Sequence, residues 1–478
     1  MTTVSDVIDV DVLIIGAGLS GIGAAWRLQR ERGWTYAVLE ARDRPGGTWD
    51  LFRYPGVRSD SDMFTLSYPF QPWRGGKSLA DGDSIRRYIE DTAREHGIDR
   101  HIRYGTKVVS AGWSGERGRW TVRTGDGVWT CSFLYVCAGY YDYEQGHQPD
   151  FDGVEHFGGR FAHPQFWPED LDVTGSRVVV IGSGATAVTL VPALAGKAAH
   201  VTMLQRSPTY MSALPDVDRT ADALRRLLPA RLAHTLVRAK NVLRSQLIYW
   251  LSRRYPERTK RYLRRGVLRF LPDPAYADRH FTPGYQPWDQ RLCVVPNGDL
   301  FRDVTAGRAS VVTGRIARFT KDGITLESGK ELAADVVVSA TGLSLIPLGG
   351  IALTVDGKPV DLAATTAYRG LMLGGVPNLA FCVGYTNASW TLRADLSSRY
   401  VVRLLAHMRR HGLSTAMPAF PRDGARRPLL GLTAGYVQRA AHLFPQQGER
   451  DPWLVTQNYL ADLAKFAFLD VRKGMIFG

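Results

Sequence analysis

Two stretches of this chain couple a glycine-rich turn to a charged residue at the same distance, and the two charges are opposite. The first is Gly16-Ala17-Gly18-Leu19-Ser20-Gly21, followed by Glu40. The second is Gly182-Ser183-Gly184-Ala185-Thr186-Ala187, followed by Arg206 and Ser207. In each, 24 positions separate the first glycine from the charged residue. Such turns let backbone amides approach a pyrophosphate at a helix N-terminus. The charged residue then meets the adenosine ribose. Glu40 accepts hydrogen bonds from a free 2′-hydroxyl and repels a 2′-phosphate, whereas Arg206 offers a guanidinium to one. The pair therefore reads as one site for an unphosphorylated dinucleotide, FAD, and one for NADPH. Ala187 stands where a third glycine is usual, a position that needs only close helix–strand packing.

A glycine turn alone is a weak signal, so the flanking elements decide. The apolar run Asp11-Val12-Leu13-Ile14-Ile15 precedes the first turn, and Val178-Val179-Val180-Ile181 precedes the second. Each turn leads into a helix-compatible stretch and a second short apolar strand. Each half also closes alike, at Phe133-Leu134-Tyr135-Val136-Cys137-Ala138-Gly139 and at Val336-Val337-Val338-Ser339-Ala340-Thr341-Gly342. The expected fold class is α/β, with two Rossmann-like dinucleotide-binding domains and an inserted helical subdomain. We divide the chain into an FAD-binding part (1–145), a linker (146–175), an NADPH-binding domain (176–213 and 287–340), a basic helical insertion (214–286) and a return to the FAD domain (341–478). This order puts the two cofactors at a domain interface, where sites commonly form.

At 478 residues, 45% hydrophobic and 22% charged, the chain has the composition of a soluble globular protein with more than one core. Its four cysteines are scattered without a C-x-x-C pair. That argues against a disulfide framework or a zinc site, so no metal is expected, and it fits a reducing cytoplasm. The polar, acidic start lacks a signal-peptide pattern, and no apolar run reaches membrane-spanning length. The net charge of +14 is concentrated. Over residues 218–270, fifteen Lys and Arg stand against Asp218, Asp222 and Glu257, a local balance of +12. Leu224, Leu227, Leu228, Leu232, Leu236, Val237, Leu243, Leu247, Ile248 and Leu251 recur there with helical period, so the segment reads as basic amphipathic helices. Either this is a solvated basic face, or it is a surface for peripheral contact with anionic membrane. Nucleic acid is disfavoured, since no recognition motif accompanies the charge.

After Glu40 comes Gly46-Gly47-Thr48-Trp49-Asp50-Leu51-Phe52-Arg53-Tyr54-Pro55-Gly56-Val57-Arg58-Ser59-Asp60. Paired glycines there can face a flavin, and Trp49 can wall it. Between the halves, Phe157, Gly159, His163 and Trp167 make the pattern F-x-G-x-x-x-H-x-x-x-W. By itself this is a linker with a buried histidine. With its flanking motifs it resembles the type I Baeyer–Villiger monooxygenases. The G-G-x-W-x-x-x-R-Y-P-G-x-x-x-D segment shares that resemblance. It continues through Pro287-Trp288-Asp289-Gln290-Arg291-Leu292-Cys293 and Val383-Gly384-Tyr385-Thr386-Asn387-Ala388-Ser389-Trp390.

The resemblance implies that NADPH reduces FAD, that O2 adds to give a C4a-peroxyflavin, and that this attacks a carbonyl to yield an ester or lactone. It implies Arg291 as the cation that stabilises the anion, and Asp60 as the carboxylate that holds Arg291. It further implies that Ser20, Thr48, Trp49, Asp50, Leu51 and Val108 line FAD, and that Arg58 and Ser59 lie near the nicotinamide path. Gly182 to Ala187 would cradle the NADPH pyrophosphate, with Ser207 assisting Arg206. His163 is expected to organise the linker. One departure stands out: Gln290 occupies the position where many relatives of that family carry a lysine for the 2′-phosphate. The expected substrate is a small ketone or sulfur compound. The alternative is a flavin-containing enzyme that oxygenates nitrogen or sulfur without significant ketone activity. A disulfide reductase is excluded by the absence of cysteine from residues 41–75. Oligomeric state is left open.

Overall fold

The computed structural model describes residues 7–31, 33–420, 424–468 and 470–478. The polar N-terminal start read above lies largely outside them. The strand Ile8–Ile15 lies in the interior of the first sheet, parallel to Tyr36–Leu39 on one side and Val128–Val136 on the other. Ile102–Arg103 extends the sheet beyond Tyr36–Leu39, and Leu379–Phe381 pairs with the end of Val128–Val136. Alternate residues serve two cores: Val12 and Ile14 pack with one cluster, Leu13 and Ile15 with another. Burial on both faces is why this strand reads as an unbroken apolar run.

The second sheet repeats the plan. Arg177–Ile181 lies parallel to His200–Gln205 and Val336–Ser339, with Ala309–Thr313 beyond His200–Gln205. Val178 and Val180 face one core, Val179 and Ile181 the other. In each half a helix follows the glycine turn, Leu19–Arg30 in the first and Ala185–Ala195 in the second. An antiparallel three-stranded unit follows in both. It is Val108–Ser114, Arg119–Thr124 and Val128–Val136 in the first half. In the second it is Ile316–Thr320, Gly323–Leu326 and Glu331–Ala333.

The matched strand endings have a physical reason. Gly16 has φ +99°, and a Cβ there would lie 2.8 Å from the Cys137 carbonyl oxygen. Gly182 has φ +140°, and its Cβ would lie 2.3 Å from the Ala340 carbonyl oxygen. Each turn is thus pressed against the end of its own return strand, at a backbone conformation that favours glycine.

The segment 146–175 does more than link. It contributes Arg160–Ala162, the edge strand of the second sheet, paired with Val336–Ser339. The two chain crossings between halves run side by side, Tyr141–Gly146 antiparallel to Leu343–Leu345. The C-terminal part returns to the first half through Ala352–Val355, Leu379–Phe381 and the helix Trp390–Arg410. Asp395 of that helix pairs with Arg27 at 2.6 Å.

The basic insertion forms four helices, Arg219–Leu227, Ala230–Arg254, Pro256–Leu268 and Pro274–Phe281. They straddle the molecule: Ala221 and Val237 join a core of the first half, while Val267, Ala277 and Phe281 join the second. On Ala230–Arg254 the leucines do not face inward. The buried face carries Ala233, His234, Val237, Arg238, Asn241 and Val242. Arg238 donates to the carbonyls of Phe64 (2.8 Å), Thr65 (3.2 Å) and Ser67 (2.7 Å), which satisfies its buried guanidinium. No helix among the described residues is long and apolar enough to cross a membrane.

Candidate active site

Both glycine turns open into one cleft of about 1370 Å³ between the two sheets. The helices Leu19–Arg30 and Ala185–Ala195 begin at Gly18 and Gly184, and neither N-terminus has a side-chain cap. Their free amides and positive dipole ends therefore point at space that suits a diphosphate. A Cβ on Gly184 would meet nothing within 4 Å. These features fit two dinucleotides bound in one cleft.

Glu40 ends the strand after the first turn and is buried. One carboxylate oxygen accepts from the Ala17 amide at 2.7 Å, and the other from the Arg42 amide at 2.9 Å. Burial pushes the Glu40 carboxyl above its usual range, opposed by those two amides. Glu40 lines the cleft, and its carboxylate keeps acceptor capacity beyond those two amides.

The residues expected at the cofactors separate into two groups. Gly16, Gly18, Ser20, Thr48, Trp49, Arg58, Ser59, Asp60, Val108, Gly182, Ser183, Gly184, Ala185, Thr186, Arg206, Ser207 and Arg291 line the cleft with Glu40. Gly21, Asp50, Leu51 and Ala187 do not; they lie behind the lining. A Cβ on Gly21 would meet the Gly16 carbonyl oxygen at 1.8 Å, so that glycine serves packing of the turn. Ala187 is part of the second core. Asp50 is fully buried and gathers Arg42 and Arg53 in ion pairs, the latter at 2.6 Å. Its carboxylate is spent on holding the loop. Ser20 lines the cleft, but its hydroxyl oxygen accepts from the Trp390 indole at 2.7 Å.

Arg291 donates to Asp60 at 2.7 Å and joins the two halves. The Asp60 carboxylate, ahead of all other causes, holds the guanidinium pKa above its ordinary value. Tyr140, Tyr141 and Tyr436 also bear on it, and burial pushes each of those phenols upward. Arg291 is therefore a fixed cation, enclosed by rings and open toward the cleft, where 37% of its side chain is exposed. Tyr140 also meets the Trp390 ring edge-on, with centroids 5.0 Å apart. Arg58 is tied by both guanidinium nitrogens to Asp299, which heads the helix Asp299–Thr305. Gly56 packs at the same junction: its Cβ would fall 2.7 Å from that of Ala193. The R-Y-P-G-x-x-x-D segment thus docks one half on the other. His163 accepts from the Gln165 amide at 3.2 Å, and burial lowers its pKa, so it stays neutral in the linker.

The sequence points to C-terminal segments, Trp390 among them, as walls of the site, but it does not single out Tyr436 and Arg439. Tyr436 and Arg439, on the helix Gly435–Ala440, line the cleft, and burial and the charge of Arg206 both lower the Arg439 pKa. Neither Arg206 nor Arg439 has a carboxylate partner among the described residues. Tyr140, Tyr141 and Tyr143 follow directly on the first return strand, so the Ala138-Gly139 ending was the available signal for them.

Comparison with known proteins places this geometry. A profile described as flavin-binding monooxygenase-like matches residues 77–347, and one described as an NAD(P)-binding Rossmann-like domain matches 14–80. The FAD-containing monooxygenase EthA of Mycobacterium tuberculosis (strain ATCC 25618 / H37Rv) is 52% identical over 474 residues, covering 98% of this chain and 96% of that one. This chain belongs to the flavin-binding monooxygenase family. The probable FAD-binding monooxygenase AlmA of Acinetobacter baylyi is 46% identical, covering 95% and 93%. Among solved structures, a steroid monooxygenase bound to NADP superposes with a TM-score of 0.77 at 23% identity, covering 98% and 99%. An open form of cyclohexanone monooxygenase gives 0.77 at 22%, covering 98% and 100%. These two share its fold. As a member of the family, the protein is a flavoenzyme that catalyses monooxygenation.

Proposed function

We propose that the protein uses FAD and NADPH to insert one oxygen atom from O2 beside a ketone carbonyl, giving an ester or lactone, and that it also oxidises thioethers or thioamides. The observation that carries this reading is the Arg291–Asp60 pair, placed where both glycine turns share one cleft. The flavin, once reduced by NADPH, supplies the electrons and the site for activating oxygen. The chain supplies binding, charge and exclusion of water.

The first turn and Glu40 hold the diphosphate and ribose of FAD. The second turn holds the diphosphate of NADPH, and Arg206, Ser207 and Arg439 hold its 2′-phosphate. Gln290 cannot contribute a charge there, and Arg439, close enough to feel the charge of Arg206, supports the preference. Arg291 is the positive charge toward which negative charge develops, on the oxygen donor and then on the substrate oxygen. Asp60 fixes its direction. Burial holds the Tyr140, Tyr141 and Tyr436 phenols protonated, which leaves Asp60 as the negative charge that bears on Arg291 among the described residues. An enclosed, aromatic wall keeps an anionic oxygen donor from reacting with water. The reducing chemistry fits the cytoplasm, where the cysteines Cys131, Cys137, Cys293 and Cys382 stay free.

The test is a direct competition. A cyclic ketone and an aryl thioether are offered together with NADPH in air, and both products are quantified. Ester with sulfoxide supports the reading. Sulfoxide alone, over a panel of ketones, would assign the protein to the nitrogen- and sulfur-oxygenating alternative.

A further inference from the structure

The helix Ala230–Arg254 is inside out relative to its sequence pattern. Leu232, Leu236, Leu243, Leu247 and Trp250 are all exposed, the last two at 55% and 56%. Their spacing aligns them along one stripe, opposite the face that carries Ala233, His234, Val237 and Asn241. Leu227, on the preceding helix, is 78% exposed, and Tyr262, on the following one, 69%. Ten of the 22 large exposed apolar side chains among the described residues fall between positions 227 and 262. Scattered single leucines on a surface need no explanation; a stripe five turns long does.

The charges around the stripe indicate what covers it. Arg226, Arg231 and Arg244 are exposed and have no partner among the described residues. Arg254 and Arg258 lie over the ring of Tyr255, at the end of the stripe. Two of the three acids of the segment are already engaged: Asp218 pairs with Lys240 at 2.6 Å and Glu257 with Lys260 at 2.8 Å. A second copy of this chain would bring these arginines against one another, which costs affinity. An anionic bilayer answers both features, since leucine and tryptophan enter the acyl boundary while arginine meets phosphate.

We propose that the leucine stripe of Ala230–Arg254 lies in the surface of an anionic membrane, with Arg226, Arg231 and Arg244 at the headgroups. The helix docks by its outward face and does not span. Its inward face stays on the first half through Arg238.

The flavin-loaded full chain is co-sedimented with vesicles of phosphatidylcholine alone and of phosphatidylcholine with about one-third phosphatidylglycerol. Binding is expected to the anionic vesicles only, and to fall steeply as salt is raised. Leu243→Glu with Leu247→Glu should abolish it. Arg226→Gln with Arg231→Gln and Arg244→Gln should lower it by about fivefold per arginine. These positions are exposed, so flavin content and melting temperature should match the wild type, which separates lost docking from lost fold. Equal binding to neutral vesicles overturns the proposal, as does binding unchanged by Leu243→Glu with Leu247→Glu. Absence of vesicle binding, with a concentration-dependent dimer in sedimentation velocity that the same pair of substitutions dissolves, overturns it in favour of a second copy of the chain.

Discussion

Arg291→Met keeps much of the side-chain length and removes the charge. In the native site the guanidinium reaches Asp60 at 2.7 Å and opens to the cleft. Arg58 cannot take its place, because Asp299 holds it by both nitrogens. A preorganised donor aimed at a developing oxyanion contributes about 3–4 kcal/mol. That is roughly a 150- to 900-fold loss in the oxygenation step. The substitution also leaves Asp60 without its partner. An unpaired carboxylate beside a developing anion adds to the loss by like-charge repulsion. Arg291→Met with Asp60→Asn should therefore recover part of the activity that the single change removes. Flavin content should not change, since Glu40 and the first turn are untouched. The assay follows NADPH, oxygenated product and hydrogen peroxide in one reaction. The expected result is continued NADPH oxidation, with peroxide replacing product almost entirely. A wild-type ratio of product to peroxide in Arg291→Met would refute the role given to this residue.

Arg206→Ala should weaken NADPH by roughly 1.5–3 kcal/mol with little effect on NADH, read as the ratio of kcat/KM for the two cofactors. Arg439→Gln should move that ratio the same way by a smaller amount; equal losses with both cofactors would remove these residues from the 2′-phosphate. Gly56→Val puts a side chain 2.7 Å from the Ala193 Cβ at φ +74°, and should lower stability by about 1–3 kcal/mol in thermal unfolding; an unchanged melting temperature would mean that the junction is loose. His234 is buried beside Arg238, and burial lowers its pKa from 6.5 to about 4. The folded protein keeps it neutral while the unfolded chain takes up a proton. Its contribution is thus fully present above pH 6.5 and is lost as pH falls toward 4, by roughly 3 kcal/mol at most. His280 is lowered to about 4 in the same sense, so His234→Gln should flatten the slope of melting temperature against pH in this window without abolishing it.

The parts of the site legible in the sequence are those built locally. A glycine turn between a strand and a helix is encoded in about thirty consecutive residues, and its first glycine is fixed by the return strand it touches. Hence Gly16, Gly182, Glu40 and Arg206 can all be placed from spacing. Spacing does not separate lining from support. Asp50 sits within the same motif as Thr48 and Trp49 yet faces inward, where Arg42, Arg44 and Arg53 compensate its buried charge. Gly21 and Ala187 belong to their turns by packing alone. Tyr436 and Arg439 reach the cleft only after the chain has returned across the first half, and no local pattern records that path. The leucine stripe shows a different limit. Helical period says which residues share a face, and burial of that face is an inference from the usual case. Here the other face carries Arg238, whose three carbonyl partners lie on the first half, and that contact turns the leucines outward.

The central claim is that one cleft couples NADPH oxidation to transfer of a single oxygen atom from O2 into an organic molecule. Turnover under 18O2, with a cyclic ketone and a thioether as substrates and mass detection of the products, tests it most directly. The expected result is one 18O atom in each product molecule, with one NADPH consumed for each product formed. Products carrying only solvent oxygen, or NADPH oxidation that ends wholly in hydrogen peroxide across the substrate panel, would contradict it.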